Sequence, residues 1–429
     1  MVPVRESHID VLVAGGGTAG VCAAISAAMC GAQVRVIEQN GFFGGTLVSG
    51  IVGGFCGIFE RRLPHREPDL TVGGVGLAIM DRVEALGGRS ALCRSPLFDT
   101  YRYDSCILPL VLDELVLQYG VLPTLHTTII DAGGAAGRVD WVETASKSGR
   151  ERIFPRFVID ATGDADLVFM TGGAYRKNAA ELQPASFNFR MSGVDESRGG
   201  VPSMAQLGGV VRAAVEAGEK VPFTRADPMI LNGPNWFDVV CGFSRITVDA
   251  TDTDDLTRAE LEGRRQVLPT ADWLRKHIPA FRDARISGLP SHIGVRETRV
   301  ICGEETLTRS DVLSARKRPD GIGRCAWPIE RHIAGKPQAE LVPMEEGTYY
   351  DLPFGMMVPQ GYQNLLVAGR ASSADRGANA SARVFGPCSI LGQAAGTAAA
   401  LCLEQSLQDV RRLNMEDLRA LLAAKGAKI

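Results

Sequence analysis

The sequence predicts an α/β protein in which one doubly wound parallel sheet is assembled from both ends of the chain, with an α+β domain inserted between them. Three observations point there. Residues 9–14, Ile-Asp-Val-Leu-Val-Ala, run into Gly15-Gly16-Gly17-Thr18-Ala19-Gly20 and then into an alanine-rich stretch ending near Ala28. A second strand–loop–helix pattern, NLLVAGRASSADRGANASARVFGPCSILGQAAGTAAA, begins at Asn364. The residues between carry no second fingerprint of the first kind. The two glycine-rich segments read as halves of one nucleotide site. Residues 1–174 and 355–429 are therefore assigned to a discontinuous cofactor domain, and residues 175–354 to a substrate domain.

Each element follows from local pattern. The apolar, β-branched run 9–14 suits a buried parallel strand. The small residues from Ala19 to Ala28 suit a helix packed close to a sheet, stopped by Gly31. Residues 34–38 form a second strand, completing a βαβ unit. The segment GFFGGTLVSGIVGGFCGIF, after Asn40, reads as loop lining a ligand. Helices are expected over 75–88 and 105–119, and strands over 121–131 and 138–146 joined by GGAAG. Residues 157–160 are a further strand, ending in Ala161-Thr162-Gly163-Asp164. In the middle, PASFNFRMSGVD reads as a strand, 202–217 and 259–276 as helices, and 285–350 as short strands and loops. The pattern returns to strand, loop and helix from Tyr362, and MEDLRALLAAKGA reads as a surface helix.

Composition bounds the function. The chain has 429 residues, 45% hydrophobic and 22% charged, with a formal net charge of -3. Two domains fit that length. The charge gives no reason to expect nucleic acid or an anionic membrane as partner. Ten cysteines are scattered without a Cys-x-x-Cys pair, which argues against zinc, iron–sulfur and dithiol sites. No metal is expected, and the thiols fit a reducing cytoplasmic setting. The apolar stretch 388–403 is interrupted by Gly392, Gln393, Gly396 and Thr397, and reads as a buried helix rather than a membrane span.

The glycine turn carries specific physics. Gly15 permits the tight turn, Gly17 lets backbone N–H groups approach a pyrophosphate, and Gly20 lets helix and strand pack closely. The helix N-terminus offers positive potential to phosphates. Glu38, at the end of the second strand, can accept both ribose hydroxyls. Three features favour a flavin over a nicotinamide: the single fingerprint unit, the GFFGGTLVSG interruption, and the distal Gly369-Arg370 element. Helix N–H groups near Cys388, Ser389 and Ile390 are expected to face the pyrimidine end of the flavin.

Taken together, VLVAGGGTAG…VIE, VIDATGDAD at 158–166, NLLVAGR…GQAAGTAAA and IGVRETRVICGEETLTRSDV at 293–312 resemble an FAD-dependent oxidoreductase family with the Rossmann-like, glutathione-reductase-like flavin fold. That family is related to heterodisulfide reductase flavin subunits and fumarate-reductase-type flavoproteins. The resemblance implies non-covalent FAD held around Gly15, Gly17, Gly20, Glu38, Gly44, Gly45, Gly369 and Arg370. Thr18, Ala19, Thr46, Ala161 and Gly163, in the same turns, and Ser389 and Ile390 complete the expected contacts. Ile129 is expected to meet adenine through its backbone. Two departures matter: the cluster-binding cysteines are absent, and Gly369 is followed by Arg370 instead of the Gly-Asp-Ala of flavin hydroxylases.

For the chemistry, hydride moves to or from flavin N5 while a nearby group handles the proton. His332, in WPIERHIAG, and His292, in SHIGVRETR, are the candidate acid/base groups; taken alone, each reads more readily as a hydrogen-bonded loop histidine. Arg296, flanking Glu297, and Arg383 suit an anionic substrate or a developing negative charge, against the alternative of a structural Arg–Glu pair. Cys56 reads as packing. The expectation is a dehydrogenase or oxidase acting on a small molecule, with its electron acceptor open and a homo-oligomer compatible. A flavin monooxygenase and a non-catalytic FAD-binding sensor or scaffold subunit are the alternatives.

Overall fold

The computed structural model describes residues 4–63, 65–95, 97–135, 137–234, 238–336 and 338–429. The strand Arg5–Ala14 lies at the centre of the main sheet, parallel to Val34–Ile37 on one side and to Gly149–Asp160 on the other. Leu122–Thr124 extends the sheet beyond Val34–Ile37, also in parallel. The helix Thr18–Met29 ends where Gly31 takes φ +88°, with Ala32 N–H bonding back to Ala27 and Gly31 N–H to Ala28. This left-handed stop satisfies the last carbonyls of the helix, as the glycine implied.

Gly149–Asp160 changes neighbour along its length. Residues 149–153 pair antiparallel with Trp141–Ser146, and residues 158–160 pair parallel with Leu365–Val367. The C-terminal strand thereby enters the N-terminal sheet. The junction needs a side chain that can replace missing ladder bonds, and Asn364 does this while buried at 1% exposure. Its amide donates to the Val139 and Arg156 carbonyls at 2.9 and 3.1 Å and accepts from Val139 N–H at 2.9 Å. Asn364→Ala should lower the midpoint of urea unfolding, at a cost of about 2 kcal/mol, because the buried N–H and carbonyl of Val139 lose their partner.

The helix Phe385–Glu404 packs across Thr18–Met29 at unusually short range. A Cβ on Gly392 would overlap the Ala19 carbonyl, and one on Gly396 would overlap the Ala23 carbonyl. This helix is long and apolar enough to cross a membrane, but 94% of its most apolar window is buried inside the fold. It is a core helix that joins the two ends of the chain.

The middle of the chain builds its own antiparallel sheet, ordered Met229–Asn232, Asp238–Gly242, Phe189–Ser192, Arg285–Gly288. The helices Met204–Glu216 and Thr253–His277 contribute to its core of Phe187, Phe189, Phe223, Phe243, Trp273 and Phe281.

Several elements differ from the sequence expectation. The run 121–131 is two strands, Leu122–Thr124 and Thr128–Gly133, because His126 takes φ +52° and turns the chain between them. The ligand-lining loop after Asn40 contains the short helix Thr46–Ser49 and the strand Gly54–Phe55. That strand pairs with Asp99–Tyr103, which pairs in turn with Arg89–Arg94. The long helix starts at Thr253 because Asp252 caps it by accepting from Asp255 N–H. A further helix, Arg376–Ala382, precedes Phe385–Glu404. The C-terminal helix Met415–Ala424 is more than a surface element: Leu418 and Leu422 are fully buried, and Gly426 carbonyl accepts from Gly74 N–H at 2.8 Å. Ala136 of the GGAAG loop, and Met1–Pro3, lie outside the described residues.

Candidate functional site

The glycine turn sits at the carboxyl end of the parallel strands. Gly15 takes φ +99°, donates to Ile37 carbonyl at 2.8 Å and leaves no room for a Cβ, which would lie 2.5 Å from the Ala161 carbonyl oxygen. A Cβ on Gly20 would overlap the Gly15 carbonyl, so the helix rests directly on the turn. Gly17 is the opposite case: a Cβ there would meet nothing nearer than Gly45 Cα at 3.8 Å. It would instead fill the open space above the turn.

That space is bounded on two more sides by glycine. Gly44 donates to Gly16 carbonyl at 2.8 Å, bringing Gly44, Gly45 and Thr46 against the turn. Gly369, at the end of the C-terminal strand, would place a Cβ 3.2 Å from Ala19 and nowhere else close. No side chain caps the helix at Gly17, so the N–H groups of Thr18 and Ala19 belong to an uncapped 12-residue helix. A cradle of backbone N–H groups that any side chain would fill fits a pyrophosphate.

Glu38 is 5% exposed and anchors the far end. One carboxylate oxygen accepts from Gly16 N–H at 2.8 Å; the other accepts from the backbone and side-chain N–H groups of Asn40, both at 2.8 Å. The turn itself therefore fixes the carboxylate. Ile129 lies in Thr128–Gly133, in register with Thr144.

Arg370 ties the walls together. It donates to Asp164 Oδ1 at 2.7 Å, to Thr46 Oγ1 at 3.3 Å and to Val295 carbonyl at 3.4 Å. Gly163 makes room, since a Cβ there would lie 2.9 Å from the guanidinium carbon. Ala161 N–H bonds to Ala14 carbonyl at 2.8 Å, holding this second turn beside the first.

Ser389 and Ile390 are placed differently from the sequence reading. The helix begins at Phe385, so both lie inside it, past its first free N–H groups. Ser389 Oγ donates back to Gly386 carbonyl at 2.7 Å, and Ile390 packs toward Gly323. Gly386 N–H is taken by Cys56 carbonyl at 2.9 Å, Pro387 has no N–H, and Cys388 N–H bonds to Val384.

A second cluster lies where residues 183–186 and 294–297 meet the segment after Thr46. Gly294 and Ser186 bridge there, and Asn188 donates to the Gly50 and Ile51 carbonyls at 3.3 and 3.1 Å. Arg296 donates to Pro184 carbonyl at 2.5 Å and Ser186 Oγ at 2.9 Å. Arg383 donates to Gln183 Oε1 at 3.4 Å and Glu330 carbonyl at 3.2 Å. Gln183 Oε1 also accepts from His332 N–H at 3.1 Å. His332 Nε2 lies 3.3 Å from Glu330 Oε1. Arg225 and Arg245 share Asp227, at 3.2 and 2.8 Å.

The electrostatics of this cluster are unusual. Burial, then the neighbouring Arg383 and Arg225, depress Arg296 well below the usual guanidinium value, with Glu330 opposing. His332 is 3% exposed; burial, then Arg296, pull it down to about 3, so its imidazole is neutral at neutral pH. Burial pushes Glu330 up, but the His332 hydrogen bond and the guanidinium groups of Arg383 and Arg296 outweigh it and hold it at about 2. A neutral imidazole beside a carboxylate donates its Nε2–H, which leaves the Nδ1 lone pair free. Nδ1 is buried and has no partner among the described residues. Cys56 feels Glu330 and Arg383, and burial pushes its thiol up to about 11, which keeps it protonated and a poor nucleophile.

The structure thus brings His332, Arg296 and Arg383 together and leaves His292 elsewhere. His292 is exposed, and its Nε2 lies 2.8 Å from Asn40 Oδ1, beside Glu38. Among the described residues Arg296 does not form the Arg–Glu pair weighed from sequence; Glu297 lies 3.6 Å from Arg376 instead. Arg299 pairs with Asp166 at 2.8 Å and stacks on Phe169. Glu330, Gln183, Arg225 and Arg245 escaped the sequence reading. Glu330 stands two residues before His332, and strand periodicity puts such residues on one face, so that signal was present. Nothing linear connects Arg225 or Arg245 with Arg296.

A family model described as FAD dependent oxidoreductase matches residues 10–422. None of the curated proteins matches the chain. Among solved structures, a geranylgeranyl bacteriochlorophyll reductase-like protein from Thermoplasma acidophilum is 12% identical, with 98% of this chain and 85% of that chain covered and a TM-score of 0.47. A flavoprotein/dehydrogenase from Cytophaga hutchinsonii is 13% identical, with 98% and 86% covered and a TM-score of 0.46. A myxobacterial chondrochloren halogenase is 13% identical, with 97% and 78% covered and a TM-score of 0.43. None of these likenesses carries substrate information to this chain.

Proposed function

The chain belongs to the FAD-dependent oxidoreductase family, and from that premise we propose that it oxidises or reduces a small organic substrate, in the dehydrogenase or oxidase direction. FAD, when bound, supplies the two-electron acceptor or donor. The glycine cradle of Gly15, Gly17, Gly45 and Gly369 would hold its pyrophosphate non-covalently, and Glu38 its ribose. His332 takes or returns the substrate proton at Nδ1, and Glu330 fixes the ring through Nε2. Arg296 and Arg383 stabilise negative charge that develops on the substrate. The single observation behind this reading is the buried, unpartnered Nδ1 of His332 within a cationic wall. Ten free cysteines suit a reducing compartment, and we place the protein in the cytoplasm.

The test is anaerobic mixing of the yellow holoenzyme with a metabolite panel while flavin absorbance is followed. Substrate-dependent bleaching supports the proposal. Hydroxylated product formed only with oxygen and NAD(P)H would establish a monooxygenase instead, and flavin that no metabolite reduces would favour a sensor or scaffold. Separately, Glu38→Gln should weaken FAD retention by about tenfold or more, since charged hydrogen bonds contribute about 1.5–3 kcal/mol. The glutamine oxygen still accepts from Gly16 N–H, so the circular dichroism spectrum should be retained. Unchanged FAD affinity would remove the ribose assignment.

A further inference from the structure

Resting on the assignment of Glu38 to the ribose, we propose that His292 is a positioning residue of the FAD site: it fixes Asn40, and through Asn40 the carboxylate that receives the adenosine ribose. The acceptor count at Glu38 comes first. A carboxylate offers about four acceptor positions. Three are taken by protein donors: Gly16 N–H on one oxygen, and Asn40 N–H and Nδ2 on the other, all at 2.8 Å. Little capacity is left for a ribose hydroxyl, so the direction of each protein donor decides where that capacity points.

These donors are not equally fixed. The Gly16 N–H belongs to the glycine turn. The Asn40 main chain is held by its carbonyl, which accepts from His126 N–H at 3.1 Å. The Asn40 carboxamide can rotate unless its far end is held. His292 holds it, with Nε2 2.8 Å from Asn40 Oδ1. Since Nδ2 donates to Glu38, Oδ1 is the atom facing the imidazole, and it can only accept; Nε2 therefore carries the hydrogen. The polarity runs one way: His292 donates to Asn40, and Asn40 donates to Glu38. Hydrogen bonds in such a chain strengthen one another.

His292 is itself anchored from a distant part of the chain. Its N–H donates to Ser49 carbonyl at 3.3 Å, and Ile293 N–H donates to Glu260 Oε1 at 2.6 Å. Gly294 and Ser186 exchange backbone hydrogen bonds at 2.8 and 3.1 Å. Val295 carbonyl accepts from Arg370. Residues 292–295 thus form a strap from the Glu38 side of the cradle to Arg370, with a reach of at most about 10 Å. His292 is exposed, so the core does not need it. The bond it makes serves Asn40 and what Asn40 holds.

The experiment titrates flavin-stripped full-length protein with FAD, ADP and 2′,3′-dideoxy-ADP, the last lacking both ribose hydroxyls. His292→Ala should weaken FAD and ADP alike by about two- to tenfold, the usual contribution of one hydrogen bond, and leave dideoxy-ADP unchanged. His292→Gln, which keeps an N–H donor, should recover part of the loss. Asn40→Ala should weaken FAD and ADP as well, and His292→Ala should add nothing further in that background. Should the stripped protein not stay folded, the rate at which diluted holoenzyme releases fluorescent FAD carries the comparison among the same variants. An equal loss for dideoxy-ADP, or additive effects in the double variant, overturns the inference. So does unchanged FAD affinity in His292→Ala when Glu38→Gln has weakened it. Where Glu38→Gln changes nothing either, the ribose assignment itself fails, and this inference with it.

Discussion

His332→Asn is expected to slow substrate-dependent flavin reduction by about 10²- to 10⁴-fold, the usual contribution of a positioned proton acceptor. FAD content should not change, because the ring meets Glu330 and the backbone N–H meets Gln183, neither of which belongs to the glycine cradle. The pH behaviour of the wild type separates this role from a structural one. In the free protein, burial and then Arg296 hold the imidazole at about 3, too low for an effective base. An anion between Arg296 and Arg383 offsets their repulsion, so the imidazole should rise toward the working range when substrate binds. The acid limb in kcat, which reports the complex, should therefore lie at higher pH than the limb in kcat/KM, which reports the free enzyme. Coincident limbs would remove the coupling.

The same burial has a signed consequence for stability. The unfolded imidazole protonates near its ordinary 6.5, whereas the folded one stays neutral until about 3. Between those values the unfolded state binds the extra proton, so stability is intact above the upper value and declines as pH falls toward the lower. Denaturant midpoints measured across that window should fall less steeply in His332→Asn than in the wild type.

The second large effect concerns the crossing of the first and last long helices. Gly396→Val is expected to destabilise the protein by about 3 kcal/mol or more and to release FAD. The side chain would have to occupy the position of the Ala23 carbonyl, and neither helix can retreat, since both are fully buried at the contact. Moving them apart also moves Gly369 from Ala19, which opens the cradle. Denaturant unfolding and the absorbance ratio of flavin to protein measure the two losses. A Gly396→Val protein that keeps both would show that the helices do not hold the site closed. Gly209→Val, inside the helix Met204–Glu216 where a Cβ would meet only the end of the Arg212 side chain at 3.9 Å, is the matched control for a helix-interior glycine.

The sequence disclosed the cofactor half of the molecule well. Apolar runs, tight glycine spacing and a terminal acid are local signals, and Gly15, Gly17, Gly20 and Glu38 stand where those signals put them. Gly369 and Arg370 were also legible, although the role of Arg370 as a tie between Asp164, Thr46 and Val295 was not. Helix ends were less readable. With the helix starting at Phe385, Ser389 and Ile390 fall in its interior, where their N–H groups are not among the free ones at its start. The cationic cluster was the least legible part. Arg225, Arg245, Arg296 and Arg383 converge only through tertiary packing, and no periodicity records that. His292 illustrates the converse: adjacency in sequence to the arginine-rich stretch did not place it with Arg296, because the backbone at Ser49 pulls it toward Asn40.

The pairing of Leu365–Val367 with Gly149–Asp160 has a bearing on biosynthesis. A ribosome delivers Gly15 and Glu38 long before it delivers Gly369 and the helix that locks over Ala19. A nascent chain that stops short of that helix carries an unfinished sheet edge and half a phosphate cradle, so a complete flavin site exists only once residues 365–404 have been made. Chains arrested before those residues would expose the edge of Gly149–Asp160 that Leu365–Val367 covers.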